Sequence, residues 1–133
     1  MIRFTHSLSL LLLMVSALVS TPSHAGSGLS GYWQHESAPI WIEMQPDAGQ
    51  GVVLRHDEKP DRVGFFVVTD LIASDEPGEW SAKVFAAQLG EYRNATITLP
   101  RDDLMAFTVK VGFIRRTVEW SRVPEVPSAA KAE

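Results

Sequence analysis

Apolar and polar residues alternate along most of the chain after residue 30, and turn-forming residues break the alternation at short intervals. A period of two is the signature of a strand with one buried face. It predicts eight strands, at 31–35, 39–44, 52–56, 63–71, 80–86, 92–99, 104–111 and 115–122. The largely apolar segment 63–71 fits either a strand buried on both faces or a strand that runs into a helical turn. No segment has a convincing helical period, so the pattern favours a small all-β antiparallel barrel or sandwich.

The alternation also indicates where individual side chains point. In segment 39–44, Trp41 lies between two isoleucines, so it faces outward if those isoleucines face the core. In segment 115–122, Arg116 shares its face with Trp120. The pattern therefore predicts an outward Trp41 and an inward Arg116.

Residues 1–25 differ from the rest of the chain and have the three parts of a secretory signal peptide. Arg3 supplies a positive start, residues 8–19 are almost entirely apolar, and Ser23-His24-Ala25 places small residues around a cleavage site. The apolar run is shorter than the ~20 residues that a spanning helix needs. We therefore expect export to the periplasm, cleavage after about Ala25 and no stable membrane anchor.

Cleavage would change the length and the formal charge of the chain that folds. It leaves 108 of the 133 residues and removes one of the 12 basic side chains and none of the 16 acidic ones, so the formal charge goes from −4 to −5. An acidic balance argues against a nucleic-acid partner. The chain has no Cys, which excludes disulfides, thiolate metal sites, a Cys nucleophile and a lipid-modified Cys. We expect no cofactor and no metal.

The remaining sequence predicts one domain followed by a tail. Residues 26–122 hold all eight predicted strands, and a domain of this size can bury one core without metals or disulfides. Residues 123–133 contain two Pro and three Ala without periodicity. We expect this tail to be disordered.

The order of the motifs resembles a family of exported bacterial proteins known as domain of unknown function 2147. The matching stretches are GYW at 31–33, IWIEM at 40–44, DEKPDR at 57–62, GEW at 78–80 and VGFIRRTVEWSR at 111–122. The resemblance implies a lipocalin-like small barrel and export, but no chemistry, because the family has no established activity. Two departures are the missing Cys and the sequence AAQLG at 86–90, where relatives have an Asp-Pro loop.

Four Trp residues are many for a domain of this size. Each belongs either to the core, where its indole N–H needs a partner, or to a barrel mouth, where it stacks on a ligand. We assign Trp33, Trp80 and Trp120 to the core and take Trp41 as the candidate ligand contact.

An inward Arg116 needs a carboxylate partner or an anionic ligand, because an unpaired buried charge is costly. It either stacks on Trp120 and closes one end of the barrel, which we favour, or binds a ligand. Asp57, Asp61 and Glu43 are its candidate partners.

His56, Asp57 and Asp61 form the one cluster that suggests acid–base or metal chemistry. They occupy a charged segment between two predicted strands, and we favour a solvated turn as its explanation. We include all three among the candidate ligand-binding residues and assign no catalytic residue.

Three hypotheses follow. The first is a non-enzymatic barrel that binds a small hydrophobic or anionic ligand. The second is a module that binds another envelope protein through an edge strand or the Trp41 face. The third, the least favoured, is a hydrolase-type enzyme that uses His56, Asp57 and Asp61.

Overall fold

The computed structural model describes residues 28–128 of the chain. The predicted signal peptide and the last five residues of the predicted tail lie outside this range. Eight strands carry the fold: β1 Gly31–His35, β2 Ile40–Gln45, β3 Gln50–His56, β4 Phe66–Ala73, β5 Glu79–Ala86, β6 Glu91–Arg101, β7 Leu104–Val111 and β8 Ile114–Val123. Two short 3-10 helices, η1 Pro46–Ala48 and η2 Pro60–Arg62, lie between strands.

The strands form a closed antiparallel barrel in chain order. Each strand pairs with the next, and β1 also pairs with β8 through Tyr32–Val123 to His35–Trp120. The predicted all-β barrel is therefore confirmed. Because every connection joins neighbouring antiparallel strands, β1, β3, β5 and β7 all end at the same end of the barrel.

The opposite end of the barrel is filled by large side chains. Leu29, Trp33, Met44, Ile97 and Met105 are each at most 1% exposed, and the Trp33 indole N–H donates to the Leu29 carbonyl at 2.9 Å. Packing is tight enough that the chain needs glycine beside them. A Cβ on Gly51 would lie 2.7 Å from the Met44 sulfur and 3.1 Å from the Val68 Cβ.

Arg122 seals this end. Its guanidinium carbon lies 4.3 Å from the centre of the Trp33 ring, its partner across the β1–β8 pair. The same side chain donates to the carbonyls of Ser30 and Asp102, both at 2.8 Å, and to the carbonyl of Gly28. It thus ties the segment before β1 to the β6–β7 turn. The Arg-over-Trp contact expected of Arg116 is made by Arg122 instead.

The fourth strand differs most from the prediction. It begins at Phe66 rather than at residue 63, because η2 and a glycine with φ +90 at residue 64 keep the chain out of the sheet there. Phe66 and Ile72 are exposed, so β4 is not buried on both faces. The register to β5 shifts between Thr69 and Ile72, around Asp70 with φ +51.

The tail begins one residue later than predicted, because Val123 belongs to β8. Its described part runs back toward β3, where the Arg55 guanidinium donates to the carbonyls of Pro127 at 2.7 Å and Ser128 at 2.8 Å. Among residues 28–128 there is no helix of the length and hydrophobicity needed to cross a bilayer.

Candidate functional site

The barrel is hollow toward the end where the odd-numbered strands terminate. A cavity of about 480 Å³ opens there, within the usual ~300–1,000 Å³ range of small-molecule sites. Much of its wall is apolar, including Val53, Val67, Val84, Phe107, Val109 and Trp120. The space has a simple origin. Valines at 53, 67, 84, 109, 111 and 118 form much of the wall in this half, whereas Trp33, Met44, Ile97 and Met105 fill the closed half, so the interior of an eight-stranded barrel is left partly unfilled.

The polar side chains around this cavity are cationic or neutral. They are His35, His56, Lys59, Arg62, Gln88 and Arg116. No Asp or Glu is among the described residues that line it, although the chain as a whole has four more acidic than basic residues. The cavity therefore combines an apolar interior with a positively charged lining.

Arg116 lines the cavity from β8, as the pattern predicts, but it is exposed rather than buried. It lies opposite Val109 on β7, and its Nη1 donates to the Gln88 side-chain oxygen at 3.4 Å. None of the described carboxylates, including those of Glu43, Asp57 and Asp61, lies within 4 Å of it. Its charge is thus left for solvent or for a ligand.

Arg62 brings a second guanidinium to the cavity from η2. Its guanidinium carbon lies 5.3 Å from the ring centres of both Phe65 and Phe85. Those two rings meet edge to face at 4.9 Å, a favourable geometry for aromatic pairs. The cation–π contacts hold Arg62 at the wall without neutralising it.

Two histidines also line the cavity. The His35 ring packs edge-on against Trp120 at 4.9 Å, and burial lowers the pKa of His35, with Glu36 opposing that shift. Its Nδ1 accepts the Ser37 N–H at 3.0 Å. The Nδ1 of His56 accepts the Lys59 N–H at 2.9 Å, which leaves each ring with Nε2 as its remaining polar atom.

The predicted cluster of His56, Asp57 and Asp61 does not form a hydrogen-bonded set in the described chain. His56 lines the cavity, but the Asp57 carboxylate binds the Arg55 guanidinium at 2.7 and 3.0 Å. That contact lowers the pKa of Asp57. Asp61 is exposed on η2. Within residues 28–128, no group of three or more His, Asp or Glu side chains is arranged to hold a metal ion.

Trp41 faces outward, as the alternation predicts, but it does not line the cavity. It is 7% exposed because the Arg55 guanidinium lies over its ring, 4.6 Å from the centre. A bulge brings these two residues together: Trp41 pairs with Arg55 and Ile42 with Val53, which leaves Leu54 unpaired. The other three tryptophans, Trp33, Trp80 and Trp120, belong to the core cluster.

Both surfaces considered for a protein partner are occupied. Every strand of the barrel has a neighbour on each side, so the described domain offers no free edge strand. The face at Trp41 is covered by Arg55, which is itself engaged with Asp57 and with the Pro127 carbonyl.

Several cavity residues were absent from the sequence-based candidates. Lys59 and Arg62 lie in the segment 56–62, from which only His56, Asp57 and Asp61 were taken as candidates. His35 lies at the end of a strand and belongs to no motif. Their common signal was position, since each lies at or just beyond the end of an odd-numbered strand. That signal becomes useful only when the barrel and its open end are known.

Comparison with protein-family models, with curated proteins and with solved structures finds no match to this chain. The resemblance to domain of unknown function 2147 therefore stays a prediction.

Proposed function

We propose that this protein is a binding barrel for a small amphipathic anion. The apolar part of the ligand occupies the cavity, and its acidic group lies near Arg116, Arg62 and Lys59. The observation that carries the proposal is a hollow apolar interior whose charged lining residues are all cations.

The apolar interior supplies the affinity. Removing apolar surface from water contributes ~25 cal/mol per Å², and a preformed cavity avoids the cost of ordering a loop around the ligand. Val67, Val84 and Val109 come from three different strands, so the barrel itself holds the walls in place.

The cations supply the selectivity. Arg116 has Gln88 as its hydrogen-bond partner and no described carboxylate nearby. A charged hydrogen bond to an acidic ligand would use donors that are otherwise only hydrated. Binding is the proposed role, because the described lining offers cationic and neutral donors around an apolar interior.

Three ligands of one chain length test this proposal. Decanoic acid, decanol and decylamine are titrated while the intrinsic tryptophan fluorescence, to which the cavity residue Trp120 contributes, is followed. We expect the acid to bind best and the amine worst. In Arg116→Gln the acid should lose ~10-fold in affinity, as for one charged hydrogen bond, while the alcohol should be unaffected.

Arg115→Gln is the matched control, because Arg115 is the neighbouring exposed cation and does not line the cavity. Equal binding of acid and amine would contradict the electrostatic part of the proposal. Failure of all three ligands to bind would contradict the proposal as a whole.

We also propose that the barrel acts outside the cytoplasm, on the strength of the signal-like residues 1–25. Intact-mass measurement of protein recovered from the periplasm of a bacterial host should give a chain that begins near Gly26. Recovery of the uncleaved chain from the cytoplasm would contradict export.

A further inference from the structure

The turn between β7 and β8 projects an apolar tip beside the mouth of the cavity. The strands pair up to Val111 and Ile114, so the loop is only Gly112 and Phe113, and Gly112 takes the φ of +64 that such a turn requires. Phe113 is fully exposed and Ile114 is 62% exposed. Phe113 and Ile114 are adjacent in the chain and form a small exposed apolar patch at the tip, and exposed apolar patches are common at interaction surfaces.

Cations flank this tip on both strands. Lys110 precedes it, and Arg115 and Arg116 follow it, with no acidic residue anywhere from 104 to 118. Lys110 and Arg115 lie directly opposite each other, an arrangement that destabilises a strand pair when the charges are alike. None of the described carboxylates lies within 4 Å of either. An anionic surface would offset this repulsion.

We infer that the β7–β8 tip, residues 110–116, docks on an anionic phospholipid surface. Aromatic and aliphatic side chains enter the interfacial region of a bilayer readily, while Lys and Arg keep their charges at the headgroups. A two-residue turn is too small to bury the ~1,200 Å² or more of a stable protein–protein interface, but it is the right shape to insert between lipid headgroups.

Docking of this kind would turn the cavity toward the membrane. Leu89, 43% exposed, lies on the adjacent β5–β6 turn, which the Arg116–Gln88 hydrogen bond links to the tip. Both Leu89 and Val111 line the cavity. The tip shares Val111 and Arg116 with the cavity lining, but the docking inference depends on Lys110, Phe113 and Arg115, which do not line the cavity. In this orientation a ligand could pass between the cavity and the bilayer, and that step rests on the proposed function.

Vesicle flotation tests the docking surface. The protein without residues 1–25 is mixed with vesicles of phosphatidylcholine alone or of phosphatidylcholine with phosphatidylglycerol. We expect it to float only with the anionic vesicles and to be released as salt shortens the range of the charges. Phe113→Ser should weaken binding ~10-fold or more. The double variant Lys110→Gln/Arg115→Gln should weaken it ~30-fold.

Matched controls lie at other places on the barrel. Ile72→Ser changes an apolar residue that is 64% exposed near the closed end. Lys83→Gln/Arg101→Gln removes two exposed charges that already have acidic neighbours, Asp70 and Asp103. Both controls should bind anionic vesicles as the unaltered protein does.

Because the chain has no Cys, a single introduced thiol can be labelled, which gives a second measurement. Phe113→Cys creates a single thiol that can carry an environment-sensitive fluorophore, and Ile72→Cys serves as its control. The emission should shift to the blue on anionic vesicles for the probe at residue 113 alone. The apolar fluorophore takes the place of the lost phenyl ring, so its emission reports insertion of the tip directly.

Three results would overturn the inference. They are no affinity for phosphatidylglycerol vesicles, tip variants that bind as tightly as their controls, and capture of a protein partner through Phe113 without vesicle binding. Decanoate titration in solution separates the two proposals, because Phe113→Ser should leave that affinity unchanged. If the unaltered protein binds vesicles but not decanoate, only the cavity proposal is contradicted.

Discussion

Replacing Arg122 by Ala should destabilise the barrel by removing the side chain that seals its closed end. The guanidinium lies 4.3 Å from the centre of the buried Trp33 ring, a contact that contributes ~1–2 kcal/mol in a partly desolvated setting. It also donates to three carbonyls, those of Gly28, Ser30 and Asp102. At ~0.5 kcal/mol each, the low end for a partly exposed hydrogen bond, these add ~1.5 kcal/mol.

The expected loss is thus ~3 kcal/mol of the free energy of unfolding, a large share of the ~5–15 kcal/mol that holds a domain together. The corresponding fall in melting temperature is ~12 °C or more. Urea unfolding followed by tryptophan fluorescence measures the free energy directly. The free energy of unfolding of Arg122→Lys should lie between that of the unaltered protein and that of Arg122→Ala, because Lys keeps the charge but cannot make the forked set of contacts.

Arg115→Ala is the control, since it removes an exposed Arg from the same strand and should change stability by less than ~0.5 kcal/mol. If Arg122→Ala unfolds at the same urea concentration as Arg115→Ala, the assigned role of Arg122 is wrong.

Three further predictions follow from the interior. Val109→Trp should fill the cavity and weaken decanoate binding at least ~10-fold, with retained circular dichroism as the check on folding. Gly51→Ala should cost ~1–3 kcal/mol in urea unfolding, because the new Cβ would meet Met44 at 2.7 Å and Val68 at 3.1 Å; unchanged stability would show that this packing relaxes. The lowered pKa of His35 means that the unfolded chain binds the proton more readily, so stability should fall as the pH drops from above 6.5 through the folded pKa. In His35→Gln that part of the pH dependence of unfolding should disappear. If the free energy of unfolding of His35→Gln still falls with pH as in the unaltered protein, the role given to His35 is wrong.

The barrel could be predicted from the sequence because its signals are local. β1 and β7 begin and end at the predicted residues, since turn residues bound each alternating run. β4 was placed three residues early at its start and two at its end. Its bounds depend on η2 and on a bulge at Asp70, and neither can be recognised from the alternation of apolar and polar residues.

The candidate site was only partly predictable because it depends on which strands meet. Arg116 and Arg122 lie on one face of β8 in the sequence, and the period of two cannot say which of them meets a Trp. The β1–β8 register decides it by placing Arg122 opposite Trp33. In the same way, the outward direction of Trp41 was predictable, but its cover by Arg55 comes from the β2–β3 bulge.

The central claim is that a small amphipathic anion binds inside the open half of the barrel. A methyl NMR titration with decanoate tests it most directly. Signals of Val67, Val84 and Val109, which line the cavity, should shift together, while those of Ile97 and Met105 at the closed end should stay in place. Shifts confined to the outer face near Arg55, or no shifts at all, would contradict the claim.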